Sequence, residues 1–399
     1  MNTYTIIKTT ALILALITIS IATASAIPCD RGDICVNETG WWRGGGAFNV
    51  SVVPIQDAVN NASSGDIIFV KAGDYTENVE IVTAYLTLAG EGADVVTVTA
   101  DSDDHVFEVT DNHVNISGFN VAGATGATGI SNVGIYLNGA GHCNISDNNC
   151  SYNDGDGIYL DSSSNNILLN NTASNNEYYG IELYDSNDNT LTDNTANSNY
   201  YGGIYLDSSS NNTLLNNTAS NNEGDGIYLD SSSNNILLNN TASNNEYYGD
   251  YYGIELYDSS DNLIYNNYFD NTNNACDDGS NRWNTTPVTT GQNIIGGPSI
   301  GGNYWGDYTG ADTNGDGLGE EPYSITDGSN FDYHPLCPPA SVKGDLNGDG
   351  TLTPADAAIA LRLAATGAHD DAADVSGDGG VTSLDALMIL QAAANMIEL

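Results

Sequence analysis

The chain has 399 residues, 52 acidic and 7 basic, for a formal net charge of -45. At that charge phosphate repulsion excludes nucleic acid as a partner, whereas divalent cations and a salty exterior suit the surface. Lysine and arginine are absent from Ala72 to Asn281, which removes them as bases from most of the chain.

Residues 1–26 read as a secretory signal: Lys8 gives a weakly basic start, residues 11–22 are almost wholly apolar, and Ala24-Ser25-Ala26 supplies a small-x-small cleavage site. No second apolar run is long enough to span a bilayer, so an exported chain without a transmembrane anchor is expected. Six cysteines fit an oxidising compartment. Cys29 and Cys35 are close enough to staple an N-terminal segment, residues 27–49. Cys143 with Cys150 and Cys276 with Cys337 are further candidate disulfides, their connectivity open. Asn-x-Ser/Thr acceptors are numerous, among them those headed by Asn37, Asn61, Asn115, Asn144, Asn149, Asn170, Asn211, Asn216, Asn239 and Asn284, and offer glycan sites.

From residue 50 the phrase "PIQDAVNNA" places Ile55, Ala58, Val59 and Ala62 on one helical face, suited to a cap. Irregular short strands follow. Then Gly-Ile-x-Leu recurs at Gly134, Gly157, Gly180, Gly203, Gly226 and Gly253, at four intervals of 23 residues and one of 27. A fixed period in this range means stacked supersecondary units. Ile158 and Leu160 alternate with Tyr159, and each later unit repeats that alternation, which specifies a strand. A second strand carries Leu168 and its equivalents, and a third carries Ala173, Ala196, Ala219 and Ala242. So many Asn, Ser and Gly residues forbid a helix. The pattern predicts an all-β, right-handed parallel β-helix over residues 50–282. Asn166, Asn189, Asn212, Asn235 and Asn262 form a ladder at a corner, where Asn tolerates left-handed backbone. Residues 283–337, with Trp283, Tyr304 and Trp305, are expected to cap the far end, and 338–342 to be a linker.

Residues 343–399 form a small α-helical domain with paired calcium loops. Asp345, Asn347, Asp349, Thr351, Thr353 and Asp356 stand at loop positions 1, 3, 5, 7, 9 and 12, and Asp374, Ser376, Asp378, Gly380, Thr382 and Asp385 repeat them. Hard oxygens at this spacing are what calcium requires, and the glycine at position 6 lets the loop return a carboxylate to the ion. Two ions are expected in this domain. A third loop, Asp312, Asn314, Asp316, Leu318 and Glu320, shares the early positions but lacks the closing carboxylate at its twelfth.

The rod offers weaker chemistry. Glu182 projects between Asp161 and Asp207 of adjacent coils, a spacing that glycosidase carboxylate pairs can use. Carboxylates on every coil give the plain structural alternative. Tyr136, Tyr159, Tyr205 and Tyr228 line one face, where they would stack on sugar rings or only on one another. His105, His113 and His142 fall in the early coils without the density of a copper site.

Two resemblances join this reading. The segments "IQDAVNNASSGDIIFVKAGDYTENVEI", "GIYL…NNILLNN" and "GGNYWGDYTGADTNGDGLGEEPY" together resemble NosD-type, carbohydrate-binding β-helix proteins, common on the surfaces of methanogenic archaea. That resemblance implies a pectin-lyase-like fold that binds or processes polysaccharide. NosD itself implies a copper-related accessory role. Residues 343–394 resemble a type I dockerin, which implies calcium-dependent docking onto a cohesin. The expectation is a secreted, cell-surface protein for carbohydrate or surface recognition or adhesion. The alternatives are a polysaccharide hydrolase, lyase or epimerase on the same fold, and a copper accessory protein.

Overall fold

The computed structural model describes residues 32–125, 132–246, 251–338, 343–347, 351–394, 396–397 and 399. The signal segment and Cys29 lie outside these residues, as do Asp349 and residues 339–342 of the linker.

The chain winds into a parallel β-helix of about 23 residues per coil. Its second face is a nine-stranded sheet running from Val79–Ile81 through Ile158–Asp161 and Tyr179–Tyr184 to Ala275–Asp277. At about 4.8 Å per strand these nine stack to roughly 40 Å. The first face is twelve-stranded and ends in two antiparallel strands, Gly40–Arg43 and Asn49–Val50. Its strand Ile34–Asn37 pairs in parallel with Ile67–Val70. Residues 34–50, expected to stand before the β-helix, therefore form its first rung. The third face is short, and through its middle only single bridges remain, Asn149 to Thr172 to Thr195 to Thr218 to Thr241.

Inward side chains explain the period. Ile158, Leu160, Leu168 and Ala173 are fully buried, as are their equivalents in the next coils. Alanine is fixed on the third face by the repeated glycine, because a Cβ on Gly180 would meet Ala173 O at 2.6 Å and Ala196 Cβ at 2.7 Å. Large residues at either position would push the faces apart.

The asparagine ladder differs from expectation by one residue. Asn165, Asp188, Asn211, Asn234 and Asp261 adopt the left-handed conformation, not the residues that follow them. Asn166 and its equivalents are buried, and each side-chain oxygen accepts the backbone N–H one coil before: Cys143 to Asn166 (2.8 Å) and Asn166 to Asn189 (2.7 Å). The chain reverses direction at the exposed predecessor, which frees the next side chain to point inward. A second ladder, Asn148, Asn171, Asn194, Asn217, Asn240, Asn267 and Asn303, adds amide-to-amide bonds of 2.9–3.2 Å.

Both ends of the stack are closed. Helix α1 (Pro54–Asn60) buries Ile55, Ala58 and Val59 against the first rungs. Its first turn donates backbone N–H groups of Ile55 and Gln56 to the Glu77 carboxylate, at 3.0 and 2.8 Å. At the far end Phe269, Trp283 and Trp305 pack as an aromatic plug, Trp305 lying 5.0 Å from Phe269 and 5.6 Å from Trp283 between centroids. The two buried indoles keep their N–H bonds, Trp283 Nε1 to Asp277 (2.7 Å) and Trp305 Nε1 to Asp332 (3.0 Å).

The C-terminal region holds helices α2 (Pro354–Thr366) and α3 (Ser383–Ala393), packed around Ala357, Ala360, Val375, Ala386 and Ile389. Each begins with a reciprocal capping box, Thr353 with Asp356 and Thr382 with Asp385.

Candidate functional site: paired carboxylates beside a tyrosine platform

The residue immediately before each repeated glycine changes from coil to coil: Val133, Asp156, Tyr179, Gly202, Asp225, Tyr252. The outward residue two after the glycine changes with it: Tyr136, Tyr159, Glu182, Tyr205, Tyr228, Glu255. The side chains of Asp156 and Glu182 meet across one coil step and are hydrogen-bonded to each other. The arrangement recurs at Asp225 and Glu255, three coils on. Asp156 Oδ1 accepts the backbone N–H of Tyr179 at 2.8 Å, and Asp225 Oδ1 accepts that of Tyr252 at 2.6 Å.

Burial raises both members of each pair above the ordinary carboxylate range, and Asp225 is pushed up to about 7. In the first pair the neighbouring carboxyl adds to the rise at Glu182, with Asp207 and Asp161 contributing further. Like charges held close disfavour joint ionisation, which favours a proton shared within each pair. Tyr159, Tyr179 and Tyr228 have hydroxyls raised by burial and by these acids, and Tyr205 by burial, Asp207 and Asp230, so they stand as neutral donors.

Glu182 was expected to pair with Asp161 or Asp207. Its hydrogen-bonded partner is Asp156, which lies outside any strand and has no equivalent in adjacent coils. Asp161 accepts bonds from Tyr136 Oη (3.2 Å) and Ser162 Oγ (2.8 Å), and Asp207 from Ser208 Oγ (2.8 Å). Glycosidase carboxyls stand about 5–9 Å apart to admit a sugar or water between them. Here the acid that acts most strongly on Glu182 is Asp156, ahead of Asp207 and Asp161.

The four face tyrosines project from the coil but press on one another. Tyr136 and Tyr159 are buried and stack at 5.3 Å, and Tyr205 stacks on Tyr228 at 5.0 Å and on Tyr179 at 4.7 Å. Gly202 makes room for this column, since a Cβ there would lie 3.2 Å from the Tyr179 ring. The more open aromatic surface lies at the adjacent corner. There Tyr178 stacks on Tyr201 at 4.8 Å, and Tyr200 meets Tyr201 edge-on at 5.4 Å. Tyr200 and Tyr201 are 49% and 47% exposed. Asp156 and Asp225 flank this platform in the coils before and after it. The signal for it was the doubled tyrosine before the glycine, "YYG", which alternates with "GDG".

The soft donors do not gather. His113 and His142 stack face to face at 5.0 Å, with Tyr85 at 4.4 Å from His113 in the same corner column. His105 lies on another face against Tyr136. Among the described residues no three His, Cys, Asp or Glu side chains form a metal-holding group, and this arrangement does not fit copper. Two of the three expected disulfides are corrected: Cys143, Cys150, Cys276 and Cys337 are buried free thiols. Cys143 precedes a first-face strand and bonds the carbonyls of Asp111 and Gly141, while Cys150 sits on the third face, its thiol raised by complete burial. Cys276 lies near Asp327, and Cys337 bonds the Gly310 carbonyl.

The tail loops fit calcium by their donor chemistry. Asp374 Oδ1 accepts N–H groups of Gly377 (2.8 Å) and Asp378 (3.1 Å), and Oδ2 accepts that of Gly379 (2.8 Å), which folds the loop around its first ligand position. Asp385 is fully buried, which opposes ionisation, but bonds from Ser376 and Thr382 outweigh that and hold its carboxyl down to about 2. Asp312 makes the same three bonds, to Gly315 (2.7 Å), Asp316 (3.2 Å) and Gly317 (2.8 Å), and Glu320 closes on Thr313. In the first tail loop Asp356 accepts from Leu346 and Asn347 at 3.0 and 3.1 Å.

Comparison with known proteins assigns the two regions separately. The family described as periplasmic copper-binding protein (NosD) matches residues 59–214 and 183–310, and the dockerin type I domain matches residues 343–392. No curated protein matches. Among solved structures, pectate lyase Pel9A is 15% identical, over 64% of this chain and 81% of its own, with a TM-score of 0.47. The A-module of Azotobacter vinelandii mannuronan C-5 epimerase AlgE6 is 17% identical, over 56% of this chain and 74% of its own, at 0.44. Alginate lyase from Paenibacillus sp. str. FPU-7 is 16% identical, over 57% of this chain and 91% of its own, at 0.43.

Proposed function

Since the chain belongs to the NosD family across its β-helix and ends in a type I dockerin domain, we propose that it is an exported recognition protein, its rod contacting glycan and its tail docking onto a cohesin. The observation that carries this reading is the joining of a calcium-dependent docking module to a long, rigid surface. The Tyr178–Tyr201 platform, flanked by buried acids that hold protons, supplies flat apolar rings beside hydroxyl donors, the composition that sugar rings favour.

Calcium has a structural task here. Asp374, Ser376, Asp378, the Gly380 carbonyl, Thr382 and Asp385 would hold one ion, and Asp345, Asn347, Asp349, the Thr351 carbonyl, Thr353 and Asp356 a second. When bound, the ion neutralises converging carboxylates and fixes the loop that starts each helix. The bonding shared by Asp312 and Asp374 supports a third ion at Asp312, Asn314, Asp316, the Leu318 carbonyl and Glu320.

The decisive experiment has two arms. Full-length protein is tested for cohesin binding with calcium and with chelator, and for retention on immobilised polysaccharides, with Tyr178→Ala and Tyr201→Ala as controls. Calcium-dependent cohesin capture and tyrosine-dependent retention are expected. Cohesin capture unchanged by chelator defeats the tail assignment, and retention unchanged in both variants defeats the platform.

A second reading, a polysaccharide-active enzyme, draws support from the shared protons, since such pairs perform acid–base work elsewhere. Against it stands the absence of Lys and Arg from the repeat faces. Reducing-end release or unsaturated product abolished by Glu182→Gln would establish it. The copper-accessory reading has no gathered donor set to support it.

A further inference from the structure

At the far end of the rod a cavity of about 280 Å³ opens between the last coil and the hairpin formed by Tyr323–Ser324 and Phe331–Asp332. Arg282, Asn330, Phe331 and Tyr333 line it. Arg282 is the sole Lys or Arg between Ala72 and Val342 of a chain with net charge -45, yet among the described residues it forms no ion pair. Among the described residues no acid lines the cavity, and the two buried acids of the adjoining strand and hairpin are committed elsewhere. Asp277 accepts from Trp283 Nε1 (2.7 Å), Asn281 Nδ2 (2.8 Å) and the Gly279 N–H (2.9 Å). Asp332 accepts from the Asn303 N–H (2.7 Å), Trp305 Nε1 (3.0 Å) and the His334 N–H (3.0 Å). Both are fully buried, so the guanidinium is left as an exposed cation in a strongly negative field.

The remaining lining is suited to a sugar ring. Phe331 and Tyr333 stand 38% and 57% exposed, with centroids 5.8 Å apart. Asn330 Nδ2 anchors the hairpin to the Gly279 carbonyl at 3.0 Å, and its side-chain oxygen receives no protein donor among the described residues. We propose that this cavity binds a single carboxylate-bearing sugar residue, with the carboxylate on Arg282, the ring against Phe331 or Tyr333, and a hydroxyl donating to Asn330. The guanidinium fork matches a carboxylate in geometry and stays charged. The cavity volume suits one ring, and the surrounding charge rejects a polyanion, so the ligand is an isolated acidic residue on an otherwise neutral glycan. This site is distinct from the tyrosine platform and stands without it.

The test is calorimetric titration of full-length protein with methyl glucuronide, methyl glucoside and acetate. Glucuronide should bind about 10- to 100-fold more tightly than either control, the worth of a charge-assisted bond. Arg282→Gln should remove that preference without moving the melting temperature, and Arg282→Lys, keeping charge without the fork, should retain part of it. Phe331→Ala should weaken glucuronide but not acetate. Equal affinity for glucuronide and glucoside, acetate as tight as glucuronide, an unaffected Arg282 variant, or no binding of any probe would each overturn the proposal.

Discussion

Two adjacent asparagines, Asn216 and Asn217, should behave quite differently when truncated. Asn217 is 1% exposed, and its side-chain oxygen accepts from both the backbone N–H and Nδ2 of Asn194, each at 3.0 Å. Its own Nδ2 donates to the Leu191 carbonyl (2.9 Å) and to Asn240 (3.0 Å). Asn217→Ala therefore strands two buried donors of Asn194. At about 1–3 kcal/mol for each, the local cost is roughly 2–6 kcal/mol. Asn216 is exposed with φ 57°. Its replacement by alanine loses only tolerance of the left-handed region, roughly 1–2 kcal/mol, and replacement by glycine should cost almost nothing. Stacked repeats need not unfold in one step. The suitable assay is therefore amide hydrogen exchange by mass spectrometry, reading opening free energies of peptides around residue 194. Equal effects of Asn216→Ala and Asn217→Ala would show that the ladder contributes nothing to stability.

Further outcomes follow from the same structure. Asp225, raised to about 7 from 3.8, binds a proton in the folded rod that the unfolded chain has already released. Its contribution to stability is therefore full below about pH 4 and lost as pH rises through about 7. Thermal melts should show this decline, and Asp225→Asn with Glu255→Gln should flatten it; a melting temperature that climbs across this window contradicts the shared proton. Chelator should abolish the circular-dichroism signal of α2 and α3, because a core of three alanines, one valine and one isoleucine is too small to hold two helices alone. Asp374→Ala should weaken calcium binding at least about tenfold, and titration of full-length protein checks it. Cys150 should resist thiol reagents in the folded state and react after denaturation. Mass-spectrometric detection of a Cys143–Cys150 bridge would refute its description as a thiol.

Much of this architecture was legible because a two-residue alternation repeated every 23 residues has few physical solutions. Glycine and alanine recur at fixed offsets in the sequence, but the close approach that fixes them is visible only between coils. The corner was misplaced by one residue because Asn serves both tasks there, and letters alone do not separate a left-handed Asn165 from an inward Asn166. Asp156 escaped notice since it sits outside the strand that carries Glu182, and the contact exists only between coils. Spacing likewise brought Cys143 and Cys150 together in sequence while the winding of the coil set them on different faces. The lysine- and arginine-free run to Asn281 was legible, but the cavity at Arg282 required the hairpin of residues 323–332, whose course no periodicity announces.

The 24 residues from Gly157 to Gly180 recur letter for letter from Gly226 to Gly249, which has a consequence for how such a molecule can change in length. Three coils form a closed module: the pattern of paired acids and tyrosines returns after about 14 Å, and both cut surfaces of the module are the same. Inserting or deleting one whole module leaves every rung with a partner it already fits, and neither end cap is asked to recognise anything new. The chain is thus a ruler graduated in units of three coils, able to gain reach and another copy of its surface in a single genetic event.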